Sequence, residues 1–90
     1  MAYEVEISGS ASSFILKLSK KDRARVEEKI ESLATDPRPH GSTKLKQSKD
    51  KGALYRIRSG NYRIVYAIKD DILLVLVTEV GHRKEIYRDL

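Results

Sequence analysis

Ninety residues, with 18 Lys and Arg against 13 Asp and Glu, a net charge of +5 and no cysteine, describe one small basic domain, since domains usually run to about 100–150 residues. Without cysteine there is no disulfide framework and no Cys-based zinc or redox site. The opening MAYEVEISGS is not a signal peptide and the most apolar run, Ile72 to Val77, is too short for the roughly 20 residues a bilayer needs, so a cytoplasmic protein away from membranes is expected.

Tyr3, Val5 and Ile7 alternate with Glu4 and Glu6, the period of two that marks a half-buried strand. Ser8-Gly9-Ser10 interrupts it, and Ala11 to Leu18, with Phe14 and Leu18 four apart, suits a short helix. Ser19 opens the run SKKD, an N-cap followed three residues later by a carboxylate that can reach back to a free amide. The helix it starts carries Val26, Ile30, Leu33 and Ala34 in one apolar stripe. Asp36-Pro37 ends it, because the residue before proline disfavours helical geometry.

Pro37 to Gly52 reads as a polar loop, with a brief strand at Lys44-Leu45-Lys46. Ala53 to Ile68 alternates as a β-hairpin around Gly60-Asn61, a pair suited to a two-residue II′ or I′ turn. Lys69-Asp70-Asp71 turns the chain. The segment 72–80, ILLVLVTEV, is apolar without alternation, the mark of a strand covered on both faces and central in its sheet. The expected fold is a single α+β domain over residues 1–90. It consists of an N-terminal strand, an α-helical hairpin and an antiparallel β-meander (β-α-α-β-β-β), with the helices on one sheet face.

Pairing outward from the turn sets Ser59 against Tyr62, Arg58 against Arg63, Ile57 against Ile64, Arg56 against Val65 and Tyr55 against Tyr66. One face then collects Tyr55, Ile57, Tyr62, Ile64, Tyr66 and Ile68, and the other Leu54, Arg56, Arg58, Arg63 and Val65. A slip of one residue would scramble both sets. Like charges directly opposite destabilise a strand pair by up to about 1 kcal/mol. Three arginines on rigid strands therefore point to an anion, and the guanidinium fork matches phosphate oxygens.

The charge distribution agrees. Residues 38–63 hold eight Lys and Arg against Asp50 alone, a balance of +7, whereas 1–37 and 64–90 each balance at −1. That block makes Lys44 and Lys46 further candidate phosphate ligands, with nucleic acid or an acidic protein as the partner. The structural alternative pairs Arg56 or Arg58 with a tail carboxylate, Glu85 or Asp89. The tail GHRKEIYR adds His82, able to move a proton near neutrality, and Tyr87, able to stack on a base or exchange a proton. Both also have plain readings, an exposed bystander and a core anchor. His40 reads as surface.

The motifs KLKQ, LYRIRSGNYRIVYAI and VTEVGHRKEIYR together resemble the RelE toxins of the RelE/ParE superfamily, over about residues 2–90. The resemblance implies a type II toxin that enters the ribosomal A site and cuts mRNA there without a metal or other cofactor. The 2′-OH of the RNA would attack the neighbouring phosphate. Arg63 matches the phosphate-stabilising arginine after the turn tyrosine, Arg83 the second arginine after the glycine, and Tyr87 the terminal tyrosine. Arg56 and Arg58 stand on the strand where relatives carry basic residues.

Two departures stand out. Relatives place lysines where this chain has Leu54 and Arg56, and arginine does not titrate usefully, so proton transfer is expected from His82, Glu85 or Tyr87, and from His82 first, since some relatives use a histidine near the C-terminus. The tail is also shorter between Arg83 and Tyr87. The implied partners are a cognate antitoxin and mRNA on the ribosome, with no membrane. Alternatives on the same fold are a ParE-like toxin that inhibits DNA gyrase without catalysis, and an inactive RNA-binding domain.

Overall fold

In the computed structural model, which describes residues 2–48 and 52–82, strand β1 (Glu4–Ile7) ends at a serine that starts the next element. Ser8 caps helix α1 (Gly9–Leu16), its Oγ accepting a hydrogen bond from the Ala11 amide at 3.2 Å. Ser19 caps helix α2 (Lys20–Ser32) by accepting from the Asp22 amide at 3.2 Å. α1 thus begins two residues before the expected Ala11 and ends before Leu18. The cap outweighs the low helix propensity of Gly9. The Asp22 carboxylate, expected to complete a capping box, accepts the Tyr62 hydroxyl at 2.9 Å and ties α2 to the hairpin.

The remaining strands are β2 (Thr43–Ser48), β3 (Gly52–Ser59), β4 (Tyr62–Lys69) and β5 (Leu74–His82). They form one five-stranded sheet in the order β1-β5-β4-β3-β2. β2 to β5 make the expected antiparallel meander, while β1 pairs with β5 in parallel and makes the sheet mixed. The brief strand foreseen at 44–46 is a full edge strand. β5 begins later than its apolar run, because Asp70–Ile72 form a 3-10 turn and Leu73 takes a left-handed conformation at φ 52°. It also runs on through Gly81 to His82.

The hairpin pairs residue for residue as its alternation requires, from Ser59 with Tyr62 to Tyr55 with Tyr66. Gly60 sits at φ 59° and Asn61 does not enter the left-handed region, the pattern of a II′ turn. The core lies between the sheet and the two helices. Ala11, Ile15, Val26, Ile30 and Leu33 meet Ile57, Ile64, Tyr66, Ile68, Val75, Val77 and Val80. β5 is internal, as expected, but its other face leaves Leu74, Leu76 and Glu79 half-buried. Its missing alternation reflects leucines on that face, over which no element of the described residues packs.

Tyr66, fully buried on β4, joins this core to the loop after α2. Its hydroxyl donates to the Pro37 carbonyl at 2.8 Å, and its ring stacks on Tyr55 with centroids 6.0 Å apart. Burial pushes the phenol up to about 12, so it stays a donor at all physiological pH. Tyr66→Phe is expected to cost about 1 kcal/mol, a fall in Tm of roughly 4–8 °C for a domain of this size. An unchanged melt would show that the Pro37 carbonyl finds water instead.

Candidate functional site

Strand pairing lays out the open face of the sheet in rows. Arg58, Arg63 and Gly81 make one row across β3, β4 and β5. Thr43, Arg56, Val65 and Glu79 make the next, and Lys46, Leu54, Ala67, Leu76 and Glu6 the one after. The three arginines stand at graded depth. Arg58 is exposed, Arg56 half-buried, and Arg63, on the middle strand, only 5% exposed. Arg56, Arg58 and Arg63 line an open cleft of about 390 Å³ with Gly41, Thr43 and Ile57. A buried guanidinium beside an exposed one gives this cleft a rigid positive floor.

The two lysines of KLK part company. A register shift between Lys44 and Lys46 leaves Leu45 as the extra residue of a β-bulge, and such an insertion re-aims side chains. Lys46 pairs with Leu54 on the arginine face, whereas Lys44 pairs with Tyr55 on the side that carries the helices. There it lines a second cleft of about 710 Å³ with Gln47, Arg38, Lys69, Asp70 and Asp71.

Two charges of the second cleft, Arg38 and Asp70, are matched to each other. Arg38 donates to Asp70 through both terminal nitrogens, at 2.7 and 3.2 Å, and through Nε to the Tyr55 hydroxyl at 3.1 Å. The Tyr3 hydroxyl donates to Asp70 at 2.6 Å. Asp70, and then Tyr55, hold the Arg38 guanidinium charged well above its ordinary range. Arg38 belongs to the basic block in sequence, but in the fold it anchors a loop.

His82 stands on the other side of the sheet from the arginines. It pairs directly with Tyr62, its ring centroid lies 5.1 Å from that of Tyr62, and it meets Phe14 edge-on at 6.4 Å. Gly81, not His82, lies opposite Arg63. Nearness in sequence placed the imidazole beside the arginine face, whereas strand alternation turns it away. His40 is exposed, as expected. Arg83 and Tyr87 lie outside the described residues, as do Glu85 and Asp89. Glu79 on the arginine face escaped the sequence reading, although Val80 coming three residues after Val77 signals the break in alternation that puts it there.

A five-stranded sheet with a helical hairpin on one face and clustered arginines on the other is the arrangement expected of a RelE/ParE-type toxin. The family model for the ParE toxin of type II toxin–antitoxin system, parDE, matches residues 5–87, and the chain belongs to that family. It is similar to the curated RelE1 relative of Methanocaldococcus jannaschii, at 26% identity over 89 residues and 99% of each chain. It also resembles the toxin in the archaeal RelE–RelB complex from Pyrococcus horikoshii OT3, with a TM-score of 0.82 and 26% identity over 92% of this chain and 97% of that one. The isolated E. coli RelE toxin matches with a TM-score of 0.73 and 28% identity, over 98% and 94%. Among the described residues no helix is long and apolar enough to cross a membrane.

Arg38, and then Tyr3, keep the Asp70 carboxyl below its ordinary value of 3.8. A depressed carboxyl stabilises the fold above its unfolded pKa, and this is lost as pH falls through the folded value. Both partners are substantially exposed, so the gain is modest. Asp70→Asn is expected to lower Tm by a few degrees near neutral pH, with the gap to wild type closing below about pH 4. A gap that stays constant across pH would place the loss elsewhere than in the charge.

Proposed function

We propose that this toxin is an endoribonuclease that cuts mRNA on the ribosome, with the open arginine face as its RNA surface. The observation that carries this reading is Arg63 held buried on the middle strand, with Arg58 directly opposite and Arg56 in the adjoining row. Opposed guanidiniums weaken a sheet but suit a phosphate passing to a phosphorane, whose extra negative charge needs donors fixed in advance. The 2′-oxygen attacks phosphorus, the bond to the 5′-oxygen breaks, and a cyclic phosphate and a 5′-hydroxyl result. Arg63 and Arg58 hold the non-bridging oxygens, and Arg56 and Lys46 the flanking phosphates. The resemblance adds Arg83 to the clamp and Tyr87 to base stacking or proton exchange.

The partner in this reading is a cognate antitoxin. Similar toxins appear in complexes of this kind, the RelE–RelB complex of Pyrococcus horikoshii OT3 and a toxin–antitoxin complex from Mycobacterium tuberculosis. An acidic antitoxin would meet the +7 segment on favourable terms. A second reading follows from the family model itself, which describes ParE toxins. The chain would then bind and inhibit DNA gyrase without catalysis.

Primer extension on translating ribosomes separates the two. The wild type is expected to cut mRNA and arrest growth. Arg63→Ala, and the bulkier Arg63→Gln, should lose about 10²–10³ in cleavage rate while keeping the far-ultraviolet spectrum of the fold. Uncut mRNA together with inhibited supercoiling would favour the gyrase reading, and undiminished cutting by both variants would clear the arginine face of the role.

RNA binding tests the split lysines. About three neutralised phosphates give a slope of log affinity against log salt near −2 for single strands. Lys46→Ala is expected to make that slope shallower by about 0.7, and Lys44→Ala to leave it unchanged. Equal effects would mean that the RNA reaches both faces.

A further inference from the structure

Cutting RNA through its own 2′-OH requires a group that takes the 2′ proton, and the arginines cannot serve. With His82 on the helix-bearing side, the question is which described side chain on the arginine face can. Glu79 answers it, and it stands there because of a second bulge.

Along β5, Val75 and Val77 point into the core with no measurable exposure. Unbroken alternation would send Glu79 inward after them and Val80 outward. The register shifts between Val65 and Tyr66 instead, so that Tyr66 pairs with Val77 and Val65 with Glu79. Thr78 is the extra residue. Val80 is consequently buried and Glu79 lies on the open face, in the row of Arg56 and one step diagonally from Arg63. Diagonal neighbours across antiparallel strands lie roughly 7–8 Å apart, within reach of long side chains.

The bulge is held from both sides. The Ser8 hydroxyl donates to the Thr78 carbonyl at 2.9 Å, and the Thr78 hydroxyl donates to the Val65 carbonyl at 3.2 Å. Beside Glu79, Gly81 stands opposite Arg63 and brings no side chain of its own to that row. Among the described residues, the charged groups that share the face of Glu79 nearby are Arg63 from β4, Arg56 and Arg58 from β3, and Glu6 from β1, the last paired one row away with Leu76. Helix α1, which packs behind β5, carries no titratable side chain.

We propose that Glu79 is the general base of the cleavage, taking the 2′-hydroxyl proton of the nucleotide whose phosphate Arg63 and Arg58 hold. The proposal rests on the nuclease reading above. In the step, the 2′ proton passes to the Glu79 carboxylate as the 2′-oxygen forms its bond to phosphorus. The bond from phosphorus to the 5′-oxygen breaks, a water molecule protonates that oxygen, and Glu79 returns its proton to solvent. The products are a 2′,3′-cyclic phosphate and a 5′-hydroxyl.

Single-turnover cleavage of ribosome-bound mRNA across pH tests this in the full chain, with wild type, Glu79→Gln and Glu79→Asp. Glu79→Gln is expected to cut at least 100-fold more slowly and to lose the acid limb of the rate–pH profile. Its RNA affinity should hold or rise, since a negative charge leaves the clamp. Glu79→Asp should keep the acid limb at a reduced rate. If Glu79→Gln fails to fold, Glu79→Asp decides alone: an acid limb missing from it overturns the proposal. Cleavage by Glu79→Gln within about threefold of wild type, or slower cleavage with the limb intact, would also overturn it while leaving the nuclease reading standing. A wild type that never cuts mRNA and inhibits gyrase would remove both.

Discussion

Strand β4 sits in the middle of the sheet and is buried from Arg63 to Ile68, and that constraint governs everything built around it. Ile64, Tyr66 and Ile68 point to the helices with at most 1% exposure, so Arg63, Val65 and Ala67 must point the other way. A slip of one residue would drive Arg63 into the apolar core, where an uncompensated charge costs several kcal/mol, and would put Tyr66 outside. The register of β3 and β5 against β4 is thus fixed by both faces at once. The buried guanidinium follows directly from the strand that organises the core.

Two single-residue insertions then distribute the chemistry. The Leu45 bulge separates Lys44 from Lys46, and the Thr78 bulge exchanges the places of Glu79 and Val80. The second is coupled to the helical layer, because Ser8 both caps α1 and donates to the Thr78 carbonyl. The start of the first helix and the position of a carboxylate on the opposite face therefore share one side chain. Bulges that re-aim side chains in this way are frequent beside functional sites.

Much of this was legible in the sequence. A period of two on either side of Gly60-Asn61 determines the hairpin, since only one register sorts tyrosines and isoleucines from arginines. The helical hairpin showed in its serine caps and apolar stripe. The positions that escaped depend on events without a compositional signature. Leu45 looks like any strand residue, so nothing in KLK said that its lysines would point to opposite faces. His82 follows Gly81 in the chain, yet a single step along a strand changes faces. Ser8-Gly9-Ser10 has the composition of a break, and the cap that Ser8 forms there shows only in the fold. Glu79 did leave a trace, in the irregular spacing of Val75, Val77 and Val80, but an apolar run hides such a slip unless the core face is already known.

The basic block divides in the fold in a way its net charge conceals. Arg38 is committed to Asp70 and Tyr55, and Lys44 faces the second cleft. Among the described residues the rows of the arginine face hold Arg56, Arg58, Arg63 and Lys46 against Glu79 and Glu6, a local balance of +2. For a surface whose only task was to hold anions, the Glu79 carboxylate is a liability, since it repels every phosphate the arginines attract. Its place is maintained by an insertion with its own hydrogen bonds, at a point where plain alternation would have left Val80 outside. A face that binds an anion and also moves a proton needs this combination of fixed cations and one titratable group. A face that only binds does not.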